Sequence, residues 1–256
     1  MIDTVFTPVA APHAIRRVRH ETRRRGLTVA SVTVLTPRMK RIVLVGDLEG
    51  FASLGADDHI KLFFADASGA GAMRDFTPRA FDAAAGTITI DFALHEAGPA
   101  TTWANAAVPG ATLEIGGPRG SAVVPDDFDW YWLIGDETAL PAIGRWVEGL
   151  RPDVPVLTAI AVEDSGERQD FGTQADWTAL WAERARDGAD DAANLQHLLD
   201  AQPLPAGDGF VFIAAESAVA RALRARLTER GHPKAYIKAA GYWKRGEADA
   251  HERIED

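Results

Sequence analysis

Residues 27–35 alternate along the chain, with Leu27, Val29, Ser31 and Thr33 on one face and Thr28, Ala30, Val32 and Val34 on the other. A period of two predicts a strand, and Met39–Val45 repeats it after the Thr36-Pro37 turn. His59–Phe64, Arg74–Thr77, Thr87–Leu94 and Thr112–Ile115 read as further short strands, with Gly, Pro and Asp at the breaks. Such a series predicts a six-stranded antiparallel β-barrel over residues 27–125 rather than a parallel sheet. One helix interrupts it, over Ala100–Val108, between Gly98-Pro99 and Pro109-Gly110.

Beyond Val124-Pro125-Asp126-Asp127 the period changes. Trp130–Gly135, Val154–Val162, Phe210–Ala215 and Ala235–Ala240 are apolar runs suited to strands buried on both faces. Helical patterns lie between them at Ala139–Leu150, Asp176–Ala185, Ala192–Ala201 and Ser217–Arg230, and Trp177, Leu180 and Trp181 would form the apolar face of the second. This alternation predicts an open, mainly parallel α/β domain over residues 126–256, with a charged tail from residue 245. Residues 1–26 show no sustained period and read as a basic leader.

Composition narrows the chemistry. With 46% apolar residues in 256, the chain can bury a sizeable core. No run approaches the roughly 18 to 20 apolar residues of a membrane span and no apolar signal core opens the chain, so a soluble, cytoplasmic monomer without membrane insertion is expected. The absence of Cys removes disulfides, thiol chemistry and cysteine-ligated iron–sulfur clusters, leaving electrons to an organic cofactor or a non-thiolate metal. The histidines are scattered without metal-ligand spacing, so no protein-bound metal is expected. A net charge of −10 argues against a general nucleic-acid surface. Residues 1–45 nevertheless carry nine Arg or Lys against Asp3 and Glu21. No Ser-His-Asp set, paired-carboxylate hydrolase or Walker loop is readable.

The stretch with most chemistry is Arg74-Asp75-Phe76-Thr77-Pro78-Arg79. Two guanidinium groups suit phosphates, an aromatic covers a ring face and a hydroxyl bonds a polyol, although the same residues also make an ordinary edge strand. The block 91–104 follows, from Asp91 and Phe92 through His95, Gly98 and Ala100 to Thr101, Thr102 and Trp103. Then come Gly117-Pro118-Arg119-Gly120, Gly135-Asp136-Glu137-Thr138-Ala139-Leu140-Pro141 and Gly241-Tyr242-Trp243. In this order the blocks resemble the siderophore-interacting protein family, flavoproteins with a ferredoxin-reductase-like fold that reduce ferric siderophores. The family's Arg-x-Tyr-Thr-x-Arg is met here with Phe76 for Tyr, a change that removes one hydroxyl hydrogen bond worth about 1 kcal/mol.

The resemblance implies FAD, NADPH or NADH as electron donor, and a ferric siderophore as acceptor. Arg74, Phe76, Thr77 and Arg79 would hold the flavin, and Asp91, Phe92, His95, Gly98, Ala100, Thr101, Thr102 and Trp103 would complete its cradle with Gly117 and Arg119. The opening turn of the helix after Gly98 offers unpaired N–H groups to a pyrophosphate, although Thr101 is equally explained as a helix cap. Gly135, Asp136, Thr138 and Ala139 form the nicotinamide-nucleotide turn, where an open α/β sheet binds its ligand. Tyr242 and Trp243 would cover a flavin face. Glu216 would border the hydride-transfer site as the catalytic candidate, with Ser217 as a helix cap. Glu163 and Asp164 suit the ribose diol of NADH, whereas Arg168 or Arg221 suits the extra phosphate of NADPH, so the donor stays open. Lys61, Lys244 and Arg245 are candidates for a cationic mouth that meets an anionic chelate. A reductase for another small acceptor and a siderophore carrier without reductase activity are the alternatives.

Overall fold

The computed structural model describes residues 13–64, 71–95, 98–247 and 252–254; the leader before residue 13 and most of the charged tail lie outside the described residues. In the first half the chain forms β1 (Arg16–Arg19), β2 (Arg24–Thr36), β3 (Met39–Val45), β4 (Ile60–Phe64), β5 (Ala72–Phe76), β6 (Pro78–Asp82) and β7 (Thr87–Ala93). Helix α1 (Pro99–Ala106), β8 (Thr112–Gly116) and β9 (Gly120–Val123) complete it. Seven of these strands make one antiparallel sheet in the order β5-β4-β8-β2-β3-β7-β6. Its edge strands β5 and β6 are separated only by Thr77, so the sheet curls round until its two edges adjoin in the chain. Alternation decides which side is inside: Leu27, Val29, Ile42, Leu44, Ile60, Leu62, Ile88, Ile90 and Ile115 are all buried in one core.

The second half contains β10 (Trp130–Asp136), α2 (Leu140–Gly149), β11 (Pro155–Val162), β12 (Asp176–Glu183) and α3 (Arg184–Asp187). Then follow α4 (Asp191–Asp200), β13 (Gly209–Glu216), α5 (Ser217–Glu229), β14 (Ile237–Trp243) and β15 (Glu252–Arg253). Strands β12-β11-β10-β13-β14 are parallel, and β15 adds an antiparallel edge. The central strands β10 and β13 are buried throughout. Tyr131, Leu133, Phe210 and Phe212 pack towards Ile143, Trp146 and Val147 of α2. Trp132, Ile134, Val211 and Ile213 pack with Leu195 and Leu199 of α4 and Leu223 and Leu227 of α5. Burial on both faces is what the unbroken apolar runs of these strands require.

Three expectations are corrected. The segment Asp176–Ala185 is a strand, not a helix: it pairs residue for residue with β11, and Trp177 Nε1 donates to Thr158 Oγ1 at 3.1 Å across that ladder. The curled sheet has seven strands rather than six, because Pro78–Asp82 pairs with β7. The leader is ordered well before residue 27. Within it, β1 pairs antiparallel with β9, and His20 Nε2 meets Ser121 Oγ at 2.7 Å. Ser121 in turn donates to the buried Asp58 at 2.6 Å. Just upstream, His13 stacks on Phe128 at 4.0 Å and bonds Asp127 at 2.7 Å, and that hydrogen bond is the main cause raising its pKa.

Polar cross-ties join the two halves. Glu167, itself buried, accepts from Thr36 Oγ1 at 2.5 Å and from Arg38 N at 2.9 Å. Arg79 forks onto Glu148 of α2 at 2.7 and 2.5 Å. Arg145 donates to Ser53 Oγ and its carbonyl at 2.9 and 3.0 Å, and Lys238 meets Asp57 at 2.7 Å. A bidentate fork of this kind fixes orientation as well as distance.

Candidate active site

A cavity of about 870 Å³ opens between the curled sheet and the C-terminal ends of the parallel strands. The curled sheet contributes Arg74, Phe76, Thr77, Asp91 and His95, together with Gly98, Ala100 and Thr101 at the start of α1. The parallel sheet contributes Thr138, Tyr242, Trp243, Lys244 and Arg245. These residues come from blocks far apart in the chain, and the cavity is where the fold brings them together.

Each wall has a local cause. Strand β5 carries Arg74 and Phe76 on alternate positions that share a face. Behind Phe76 the rings of Phe92 and Trp103 stack in sequence, at 4.7 Å and then 5.5 Å. Phe92 is fully buried, so it and Trp103 back the wall rather than line it. Helix α1 opens after Gly98, whose φ is 134°, with no side-chain cap and Pro99 in its first turn. That leaves backbone donors of the first turn facing the cavity. Thr101 lines it, whereas Thr102 is exposed elsewhere and its N–H is taken by the Gly98 carbonyl at 2.9 Å. The Thr101 hydroxyl accepts from His95 N at 3.2 Å.

Asp136 is not a lining group. It is buried at the end of β10, where Oδ1 accepts from Thr138 N at 2.9 Å and Thr138 Oγ1 at 2.5 Å. Its Oδ2 accepts from Glu216 N at 3.1 Å and Trp243 Nε1 at 2.8 Å, so one carboxylate pins the tops of β10, β13 and β14. Burial, and then the neighbouring charge of Glu137, push its pKa up to about 6. An unfolded Asp titrates near 3.8, so folding takes up a proton between those values and stability falls as pH rises from about 3.8 through about 6. Asp136→Asn puts an amide donor among these donors and removes the titration. The destabilisation it causes should therefore shrink by up to about 3 kcal/mol between pH of about 4 and about 7, as urea unfolding will show. A pH-independent difference would contradict the assignment.

Several expected site residues do other things. Glu216 caps α5, accepting from Ala218 N at 2.6 Å and Val219 N at 3.2 Å, and its other oxygen accepts from Arg245 N at 3.3 Å. With all its acceptor capacity turned to backbone it is a structural cap, and Ser217, inside the helix, donates to the Trp243 carbonyl at 3.2 Å. Arg79 is spent on Glu148 and does not line the cavity. Gly117 and Arg119 sit at the β8–β9 turn, where the Arg119 carbonyl accepts from His20 N. Gly135 and Ala139 are buried supports behind the turn. Lys61 is off the lining and bonds Asp75 at 2.8 Å. Glu163 meets Arg38, Asp164 caps its own turn, Arg168 is bound to Glu183, and Arg221 pairs with Glu252.

The sequence did not single out His59, Asp75, Glu137, Arg184 or Asp191 as lining residues. Arg184 lies between Glu137, at 3.0 and 2.8 Å, and Asp191, at 2.9 and 2.7 Å. Reading Asp176–Ala185 as a helix hid Arg184, since its place at the cavity follows from ending a parallel strand. Tyr242 reaches Thr77 from the opposite half, and burial raises its phenol well above the ordinary value. Among the described residues no group of three or more metal-ligating side chains is assembled.

The cavity suits a flavin dinucleotide in kind: Phe76, Tyr242 and Trp243 offer ring faces, Arg74 a cation, and the α1 turn with Thr77 and Thr101 polar partners. Comparison with known proteins agrees. Residues 28–71 and 66–122 match the model of a siderophore-interacting FAD-binding domain, and residues 128–246 that of the siderophore-interacting protein. The chain is 33% identical to the NADPH-dependent ferric-chelate reductase of Escherichia coli (strain K12), over 91% of this chain and 97% of that protein. It is 28% identical to the ferric vibriobactin reductase ViuB of Vibrio cholerae, covering 83% and 86% of the two chains. The crystal structure of a siderophore utilization protein from T. fusca superposes with a TM-score of 0.84 at 34% identity, over 92% of this chain and 98% of that one. With its curled antiparallel half, its parallel half and these matches along both, the chain belongs to the siderophore-interacting protein family.

Proposed function

We propose that the protein is an FAD-dependent ferric-siderophore reductase fed by NADPH or NADH. The observation that carries this reading is the single cavity at which the Arg74–Thr77 edge and the α1 turn face Tyr242 and Trp243. Bound FAD supplies the conversion between a two-electron donor and one-electron acceptors. Each nicotinamide thus gives a hydride, two ferric chelates take one electron apiece, and one proton is released. The Fe³⁺ is substrate; hard anionic oxygen donors hold it far better than Fe²⁺, so reduction alone loosens the metal.

The residues bind and orient. Arg74 and the first-turn N–H groups of α1 hold the pyrophosphate, and Thr77 and Thr101 bond the polyol. Phe76 and the Tyr242–Trp243 pair enclose the ring system, and the Thr138 turn receives the nicotinamide nucleotide. Asp136 fixes the Trp243 indole. Arg245, next to the ring pair, faces the acceptor. The FAD-binding unit spans residues 27–125 and the nucleotide-binding unit 126–256. Among the described residues no helix is long and apolar enough to cross a membrane, and large exposed hydrophobics are confined to Val34, Leu54, Met73 and Val108. These features support a cytoplasmic monomer.

Anaerobic stopped-flow mixing tests the reading. Yellow FAD-loaded protein should bleach on NADPH or NADH and regain its colour when a ferric siderophore is added, with Fe²⁺ trapped by a chromogenic chelator. Failure of both nucleotides to bleach it would leave a siderophore carrier as the better description.

A further inference from the structure

The cations around this cavity are largely answered from within the protein. Lys61 is bound to Asp75, Lys244 to Glu247, and Arg184 to both Glu137 and Asp191. Among the described residues, Arg74 and Arg245 have no carboxylate partner, and Arg74 donates to the Met73 carbonyl at 2.8 Å. In the function proposed above Arg74 meets the flavin pyrophosphate, itself a double anion, so Arg245 is the one lining cation left over. The lining carboxylates Asp75, Asp91, Glu137, Asp191 and Glu247 already outnumber the lining cations Arg74, Arg184, Lys244 and Arg245. Beyond the cavity the whole chain carries −10. A cavity whose walls focus a negative field excludes anions and admits neutral or cationic ligands.

From this charge pairing we infer that the acceptor is a ferric chelate of low charge, neutral or singly charged, and not a trianionic one. Three singly charged hydroxamates around Fe³⁺ give a neutral complex; three doubly charged catecholates give a trianion. The first class enters this cavity without electrostatic penalty. The second must approach a net-negative site with Arg245 as its single free counter-charge, because Lys61 and Lys244 are held by Asp75 and Glu247. The inference rests on the reductase reading and corrects the sequence expectation of a cationic mouth built from Lys61, Lys244 and Arg245.

Catecholate and hydroxamate complexes differ in reduction potential as well as in charge, so turnover alone does not separate the two. Gallium(III) complexes do, since they copy the charge and shape of the ferric ones and accept no electron. The experiment measures inhibition of ferrichrome reduction by the neutral gallium complex of desferriferrichrome and by the trianionic gallium complex of enterobactin. At about 0.01 M salt the neutral complex should inhibit about ten-fold more tightly or better, and the gap should narrow towards about 0.2 M as charges are screened. Freeing the lysines with D75N and E247Q together should tighten the trianion about ten-fold. Equal or tighter inhibition by the trianion in the unaltered protein at low salt overturns the inference while leaving the reductase reading standing. If neither gallium complex inhibits and ferrichrome fails to restore the flavin colour after bleaching, both are overturned.

Discussion

Adding a single methyl group in Gly135→Ala is expected to destabilise the protein by about 3 kcal/mol and to impair nucleotide binding with it. A Cβ at this position would lie 2.4 Å from the Ala214 carbonyl oxygen and 2.6 Å from the Ala139 Cβ. Neither neighbour is the free end of a flexible side chain. Ala214 is backbone of the paired strand β13, registered opposite Gly135, and Ala139 immediately precedes α2. Relief therefore requires β10 to part from β13 or α2 to lift away, and both movements open the buried core around Ile143 and Phe212. The displacement falls where Asp136 holds Thr138, Glu216 and Trp243, so the cavity loses its wall as the sheet loses its packing. Urea unfolding gives the first effect and the rate of bleaching by NADPH the second. An unshifted midpoint would show that the turn is looser than the close approach implies.

Arg74→Ala should weaken FAD binding by about ten- to a hundred-fold, because a charge-assisted hydrogen bond is worth about 1.5 to 3 kcal/mol and each 1.4 kcal/mol is about a decade. Arg74 is half-buried at the cavity, and its fork is tied to nothing stronger than the adjacent Met73 carbonyl, so it is available to a phosphate. Arg79→Ala provides the contrast. Its fork is already occupied by Glu148 and it stands 3.8 Å from Asp91, so its loss should lower the unfolding midpoint and leave FAD affinity within about a factor of three. Titration of apoprotein with FAD, followed by quenching of flavin fluorescence, separates the two. Apoprotein of Arg74→Ala that takes up FAD as the parent does would remove this arginine from the cofactor site.

Both arginines belong to one motif, and their divergence shows where sequence stops being informative. Residue type and alternation place Arg74 and Phe76 on a common face, which the strand geometry alone guarantees. The direction of Arg79 depends on Glu148, 69 residues further on, which no local pattern reveals. Strand β12 gives the same lesson. Trp177, Leu180 and Trp181 have helical spacing over so short a window, but the ladder to β11 decides, and with it the position of Arg184. The parallel strands Trp130–Asp136 and Gly209–Glu216 were legible because complete burial leaves an unbroken apolar run. Glu216 was legible as an important position and misread in its role, since a carboxylate before a helix serves equally as cap or acid until its partners are visible.

The ribbon formed by β1 and β9 has a consequence for how the protein is made. His20 and Ser121, which meet across it, are 101 residues apart, so β1 leaves the ribosome long before its partner exists. During that interval it is an unpaired strand edge, the kind of surface on which nascent chains associate with one another. Its sequence, Arg16-Arg17-Val18-Arg19, is four residues long and mostly positive, with the arginines exposed even in the finished ribbon. Like charges keep two such edges apart while the chain is still being synthesised. The positive charge gathered at the start of an otherwise acidic protein thus acts as a guard on the nascent chain, holding the strand single until residues 120–123 arrive to claim it.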